Sequence, residues 1–176
     1  MGPDQLNPGT AQTTSPGACV AVKPETGTRG FVDGAWWPRS ASPTSEFTAL
    51  LSALAATRGP MTRLAYNLAA WEPAPRKLRI EGHQIRLEGF HTLDQHTVSL
   101  TDPSGHRMVL LVIPADTTEL RGNAVLTKAS EPDNVAAPHD LLADAPDSVL
   151  AAVPQPTEVS PEARWETDGG HLLTVR

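Results

Sequence analysis

Residues 31–40 read FVDGAWWPRS, a short apolar segment that sets two tryptophans side by side before a proline. Such a segment is typical of a β-strand, and Pro38 would end it because proline cannot donate a hydrogen bond to a sheet. Successive side chains of a strand point to opposite faces, so we expect Trp36 and Trp37 on opposite faces of a sheet. Because Asp33 shares the face of Trp37, that face is expected to be partly wet. Trp36 is therefore predicted to be a core residue and Trp37 a surface residue.

The chain after the tryptophans predicts a helix. Ser42 and Pro43 suit its N-cap and first position, and apolar residues at positions 47–55 recur at the spacing of one helical stripe. The dipeptide Gly59-Pro60 would end the helix, with the glycine in a left-handed conformation. The tryptophan pair then has an alternative interpretation, in which both rings pack beneath this helix as core residues.

Alternating and apolar patterns predict one α+β domain over residues 18–130. Hairpins are predicted at 77–90 and 97–114, and a second helix at 116–129, although Gly122 weakens that helix. The predicted architecture is an antiparallel sheet of about six strands built from hairpins, with one or two helices packed on it.

The two ends of the chain have a different composition. Residues 1–17 are rich in Gly, Pro, Thr and Gln, and residues 131–176 are acidic and proline-rich, so both are expected to be mostly disordered. The net charge of -6 comes from the second segment, in which nine acidic and two basic residues give -7, whereas residues 18–130 hold twelve basic and ten acidic residues. The acidic segment either keeps the protein soluble or shields a basic surface of the domain.

The first hairpin offers such a basic surface. A two-residue turn at Gly82-His83 would pair Arg79 with Arg86 and place both on one face with Lys77, close to Arg76. That grouping suits an anion such as a phosphate or a carboxylate. The alternative is a solvated sheet face with mixed charges. An arginine-rich face combined with aromatic residues also resembles sheet surfaces that stack nucleotide bases, but an acidic chain does not favour strong nucleic-acid affinity.

Most familiar chemistries lack their signatures here. The single Cys19 excludes an internal disulfide and a thiolate zinc site. Histidines at positions 83, 91, 96 and 106 lack the spacing of a metal site, and no phosphate-binding glycine loop or nucleophile motif occurs. We therefore expect no metal and no cofactor. No signal peptide or membrane-spanning segment is recognisable, so the expected location is the cytoplasm, without membrane association.

Three segments resemble an uncharacterised actinobacterial family of small proteins, a domain of unknown function. They are GFVDGAWWPRS, YNLAAWEPAPRKLRIEGHQIRLEGF, and LLVIP followed by a short helix. The resemblance spans about Cys19 to Ala129. It implies the limits of a domain and an intracellular setting, and it implies no activity.

The resulting hypothesis is a non-catalytic interaction or ligand-binding domain that holds an anionic or aromatic partner, either a protein or a small molecule. Replacing Trp37 and Arg39 with alanine would then abolish binding without unfolding the protein. The alternatives are a small enzyme of unknown reaction and a nucleic-acid-binding module. The candidate ligand-binding residues are Asp33, Trp37, Arg39, Tyr66, Trp71, Arg76, Arg79 and Arg86.

Overall fold

The structure, a computed structural model, describes residues 12–15 and 18–145. The strands are β1 (Gln12–Ser15), β2 (Ala18–Val22), β3 (Gly34–Trp37), β4 (Arg63–Asn67), β5 (Lys77–Ile80), β6 (His83–Phe90), β7 (Thr97–Thr101) and β8 (Arg107–Val112). The helices are α1 (Pro43–Arg58), α2 (Glu119–Ala129) and α3 (Pro138–Ala143). The predicted α+β class is therefore confirmed.

All strands belong to one sheet with the order β1-β2-β3-β8-β7-β4-β6-β5. Seven of them lie between Ala18 and Val112, and β1 adds a short edge strand. The pairs β3–β8 and β4–β6 are parallel and the other neighbours are antiparallel. The prediction of a purely antiparallel sheet built from hairpins is therefore wrong. The chain leaves β3 through α1 instead of through a tight turn, and such crossovers allow parallel neighbours.

Helix α1 forms where the sequence predicts it. Ser42 is its N-cap, Pro43 its first residue, and Gly59 follows its last residue with φ of 91°. The helix buries the apolar stripe of Phe47, Leu50, Leu51 and Leu54 against one face of the sheet. This contact forms the larger of the two cores.

Helices α2 and α3 cover β2 and β3 on the opposite face, and this second layer buries Trp37. Trp36 lies under α1 and Trp37 under α2, with exposed fractions of 0% and 2%. The expected opposite orientation of the two rings is confirmed. The expectation that Trp37 lies at the surface is wrong, and the alternative that both rings lie beneath α1 holds for Trp36 alone.

Gly122 explains how α2 approaches the sheet so closely. A Cβ atom at this position would lie 2.5 Å from the Trp37 ring, a distance that no side chain tolerates. The glycine that weakens the helix prediction therefore provides the space for the indole.

The folded part of the chain continues beyond residue 130. The side chain of Leu141 in α3 is fully buried in the second core, and Thr28 donates a backbone hydrogen bond to the carbonyl of Pro132. The predicted disordered segment 131–176 therefore begins too early, because apolar residues among its acids and prolines complete a core. Residues 12–15, part of the segment 1–17 that is predicted to be disordered, form β1. The rest of the predicted disorder, in residues 1–11, 16–17 and 146–176, lies outside the described residues.

Candidate functional site

The first hairpin turns one residue earlier than the sequence suggests. Its turn residues are Glu81 and Gly82, with φ of 49° and 84°, and the tight type I′ turn requires positive φ at both positions. Ile80 therefore pairs with His83, and Lys77 with Arg86. The predicted Gly82-His83 turn and the predicted pairing of Arg79 with Arg86 are wrong, because a glutamate takes a conformation that usually favours glycine or asparagine.

The actual register aligns positive charges across five strands. Lys77 pairs with Arg86, Arg86 with Arg63, Arg63 with Thr101, and Thr101 with Arg107. We call these five residues the basic row. Their neighbours on the same strands, such as Ile85, Leu64 and Leu100, point to the opposite face and are buried in the core under α1. The four cations are consequently exposed on the other face of the sheet. The helices on that face cover it only near β2 and β3.

Glu88 is the carboxylate that contacts the basic row. Its Oε1 lies 3.5 Å from Nε of Arg63 and 4.0 Å from Nη1 of Arg86. In the described part of the chain, no carboxylate forms a salt bridge with Lys77 or Arg107. One negative charge therefore faces four positive ones. Like charges directly opposite one another in a sheet cost about 0.2–1 kcal/mol each, so the row lowers the stability of the free protein.

An open cavity of about 610 Å³ adjoins the end of the basic row, beside the part of β6 that extends past β5. Its lining includes the cations Arg76, Lys77 and Arg86, the carboxylate Glu88, and the apolar residues Leu68, Ala74, Pro75 and Leu87. Gly89 shapes the wall, because a Cβ atom there would lie 2.2 Å from Cδ2 of Leu68. The cavity thus combines positive charge with an apolar wall.

Tyr66 is also among the residues that line this cavity. Its ring packs against Phe47 of α1 at 5.2 Å, and the residue is only 4% exposed. Within the described residues the hydroxyl has no hydrogen-bond partner. Burial raises the pKa of Tyr66 above its usual value, so the phenol keeps its proton. It can therefore donate a hydrogen bond to an anion held by the neighbouring cations.

The structure brings together some of the predicted site residues and separates others. Tyr66, Arg76 and Arg86 line the same cavity. Arg79 is exposed opposite Gln84, on the same face as the basic row but outside it. Trp71 is buried in the core, where its ring stacks on Trp36 with centroids 5.3 Å apart. Trp71 does not line the cavity beside the basic row.

Arg39 and Asp33 lie away from the cavity. The guanidinium of Arg39 lies over the ring of the core residue Trp37, 4.3 Å from the ring centroid. Asp33 accepts a hydrogen bond of 2.8 Å from the backbone N–H of Val109 and lines a separate cavity of about 480 Å³. Both residues are held by contacts within the fold.

Lys23 lines the same separate cavity as Asp33. It is 4% exposed, and its Nζ donates hydrogen bonds to the carbonyls of Asn134 and Thr28. Burial lowers the pKa of Lys23, and the nearby Asp33 opposes this effect. Its donors tie the loop after β2 and the segment before α3 to the sheet. We interpret this buried cation as a structural clamp.

Two cations of the basic row, Arg63 and Arg107, are not among the candidate residues that the sequence predicts. Each lies at the first position of a strand, and the alternation of β4 and β8 would have placed both on a polar face. Their alignment with Arg86 depends on the pairing of strands that are distant in sequence, which no local pattern reports.

Other kinds of site find no support in residues 12–15 and 18–145. No three or more His, Cys, Asp or Glu side chains there converge as a metal site. None of the helices in this part of the chain has the length and apolar character needed to cross a membrane.

Comparison with known proteins gives the family of this chain. Neither a curated protein nor a solved structure matches it. The model of a family of unknown function, DUF5994, matches residues 19–129, which include β2 except for Ala18, all of β3–β8, α1 and α2, and every residue of the basic row. The chain therefore belongs to the DUF5994 family.

Proposed function

We propose that this protein is a non-catalytic binding domain that holds a small organic anion in the cavity beside the basic row. The observation that carries the proposal is that one cavity is lined by Arg76, Lys77 and Arg86 together with Tyr66, whose hydroxyl has no hydrogen-bond partner among the described residues. The cations would bind a phosphate or carboxylate group, and Tyr66 would donate a hydrogen bond to it. The apolar wall would contact the rest of the molecule.

The cost of the like charges supports this interpretation. A row of four cations that contacts a single carboxylate, Glu88, destabilises the free sheet, and an anion that binds there would relieve the repulsion as well as form ionic contacts. If these residues only stabilised the sheet, neutral or oppositely charged pairs at the same positions would stabilise it more. We therefore interpret the row as a binding feature.

The composition of the cavity favours binding over catalysis. No serine, cysteine or histidine is among the residues that line it. Because burial raises the pKa of Tyr66, its phenol stays protonated at neutral pH and does not serve as a general base. The lining therefore offers charge and hydrogen-bond donors to a ligand, which is what a binding site requires.

The test uses phenyl phosphate, which combines an anion with an apolar group. In NMR titrations of the full chain, we expect shifts of the backbone amides of residues 74, 76, 77 and 86–89. Tyr66→Phe should weaken binding about 10-fold, because a hydrogen bond to a charged group contributes about 1.5–3 kcal/mol. Arg29→Ala, a change of an exposed arginine in the loop between β2 and β3, serves as the control and should leave the affinity unchanged. Shifts confined to other regions, or none at millimolar phenyl phosphate, would refute the proposal.

A second prediction concerns the acidic end of the chain. Residues 146–176 carry five acidic and two basic residues, for a net charge of -3. If they shield the cavity, their deletion should strengthen phosphate binding about 3-fold at low ionic strength, and the gain should disappear near 0.5 M salt because of screening. The deletion must start after Ala145, since α3 is part of the core. Equal affinities of the two forms at low salt would rule out shielding.

The predicted cytoplasmic location and the predicted actinobacterial distribution of the family rest on the sequence. Both remain predictions beside the proposed binding function.

A further inference from the structure

We infer that the anion bound in the cavity belongs to a linear inorganic polyphosphate, whose chain continues along the basic row. This inference rests on the proposed function, since the cavity would hold one end of the chain. The cavity and the row share Lys77 and Arg86. A ligand with a single anionic group in the cavity would not reach Arg63 and Arg107, which contact Glu88 and Ser99 in the free protein.

The length of the row favours a chain over a small molecule. Neighbouring strands lie about 4.8 Å apart, so the four steps from Lys77 to Arg107 extend about 19 Å. Three cations occupy adjacent positions, and Thr101 adds a hydroxyl donor between Arg63 and Arg107. A phosphate chain crossing the strands would meet a donor at every step.

The spacing of the cations favours phosphates over an acidic peptide. Side chains on one face of an extended peptide recur about every 6.6–7 Å, which is wider than the step between strands. Phosphates joined by single bridging oxygens lie closer together, so Lys77, Arg86 and Arg63 would each meet an anionic group. Planar guanidinium groups also bind phosphate oxygens in pairs.

The scarcity of aromatic side chains favours a phosphate chain over a nucleic acid. Sequence-independent binding of single strands normally uses aromatic rings on which the bases stack. Phe90 is the exposed aromatic residue of β6, and it lies four residues, or about 13 Å, from Arg86. No aromatic residue belongs to the basic row itself. Recognition would thus involve phosphate groups and not bases.

Calorimetric titrations of the full chain test this inference. The ligands are inorganic phosphate, polyphosphate of about 15 units, and an oligothymidylate with the same number of phosphates. We expect polyphosphate to bind at least about 100-fold more tightly than phosphate, with a salt slope of about -3 to -4 from four ionic contacts. Arg107→Ala should weaken polyphosphate binding about 10-fold and reduce that slope by about one, while leaving phosphate binding unchanged. Arg29→Ala is again the matched control.

The outcomes separate the inference from the proposed function. If phosphate and phenyl phosphate bind in the cavity but chain length adds no affinity, or Arg107→Ala has no effect, the inference is wrong and the proposed function stands. Tighter binding of the oligothymidylate than of polyphosphate would replace the inference with nucleic-acid recognition. If neither phosphate nor phenyl phosphate nor polyphosphate binds, both fail.

Discussion

Trp37→Ala is expected to lower the free energy of unfolding by about 3–5 kcal/mol, the range for removing a large aromatic side chain from a core. The ring is 2% exposed between β3 and α2, against the backbone of Gly122. Its Nε1 donates a hydrogen bond of 3.1 Å to the carbonyl of Pro114. Alanine would leave a cavity under the helix that the surrounding side chains cannot fill.

Urea denaturation followed by circular dichroism measures this effect. The matched control is Arg39→Ala, which removes the guanidinium above the same ring and should cost about 0.5–1 kcal/mol, as exposed cation–π contacts do. Phosphate binding by the folded fraction of both variants should equal that of the wild type. A loss of stability below about 1 kcal/mol for Trp37→Ala, combined with lost binding, would restore Trp37 as a surface residue that contacts the ligand.

The sequence predicts the parts of the fold that depend on local patterns. The limits of α1 follow from Ser42-Pro43 and Gly59, because caps act within one turn of the helix. The location of the first hairpin follows from its alternation. Its turn does not, because Glu81 adopts a left-handed conformation that its residue type disfavours. The shift of one position at this turn changes which cations are neighbours.

The parts that depend on distant segments could not be predicted. The burial of Trp37 depends on α2, which lies about eighty residues later in the sequence. Gly122 lowers the helix propensity of that segment, and only the fold shows that the glycine makes room for the indole. The alignment of Arg63 with Arg86 needs a parallel pairing of β4 and β6. Local alternation places each arginine on a face and leaves its cross-strand neighbour undetermined. The sequence therefore predicted Arg76 and Arg86 as candidates, but not the row to which Arg86 belongs.

Arg86→Glu is expected to weaken phosphate and polyphosphate binding by about 30-fold or more, because it replaces the cation shared by the cavity and the row with a like charge facing the ligand. The fold should tolerate the change. The Arg86 side chain is 61% exposed, and its contact with Glu88, at 4.0 Å, contributes little. The new carboxylate would lie opposite both Lys77 and Arg63, so repulsion would become attraction and stability should stay equal or rise slightly.

Comparison with Arg29→Glu separates a local effect from the change in net charge, since both variants change the net charge by the same amount. Calorimetric titration with phosphate gives the affinities, and urea denaturation gives the stabilities. Equal losses of affinity in the two variants would show that overall charge, not the site, governs binding. A large drop in stability for Arg86→Glu would show that Arg86 supports the sheet. If the row of cations serves ligand binding, Arg86→Glu should lose binding while its stability stays unchanged or rises. The substitution removes repulsion between cations in the free protein, so only the complex with the ligand is weakened.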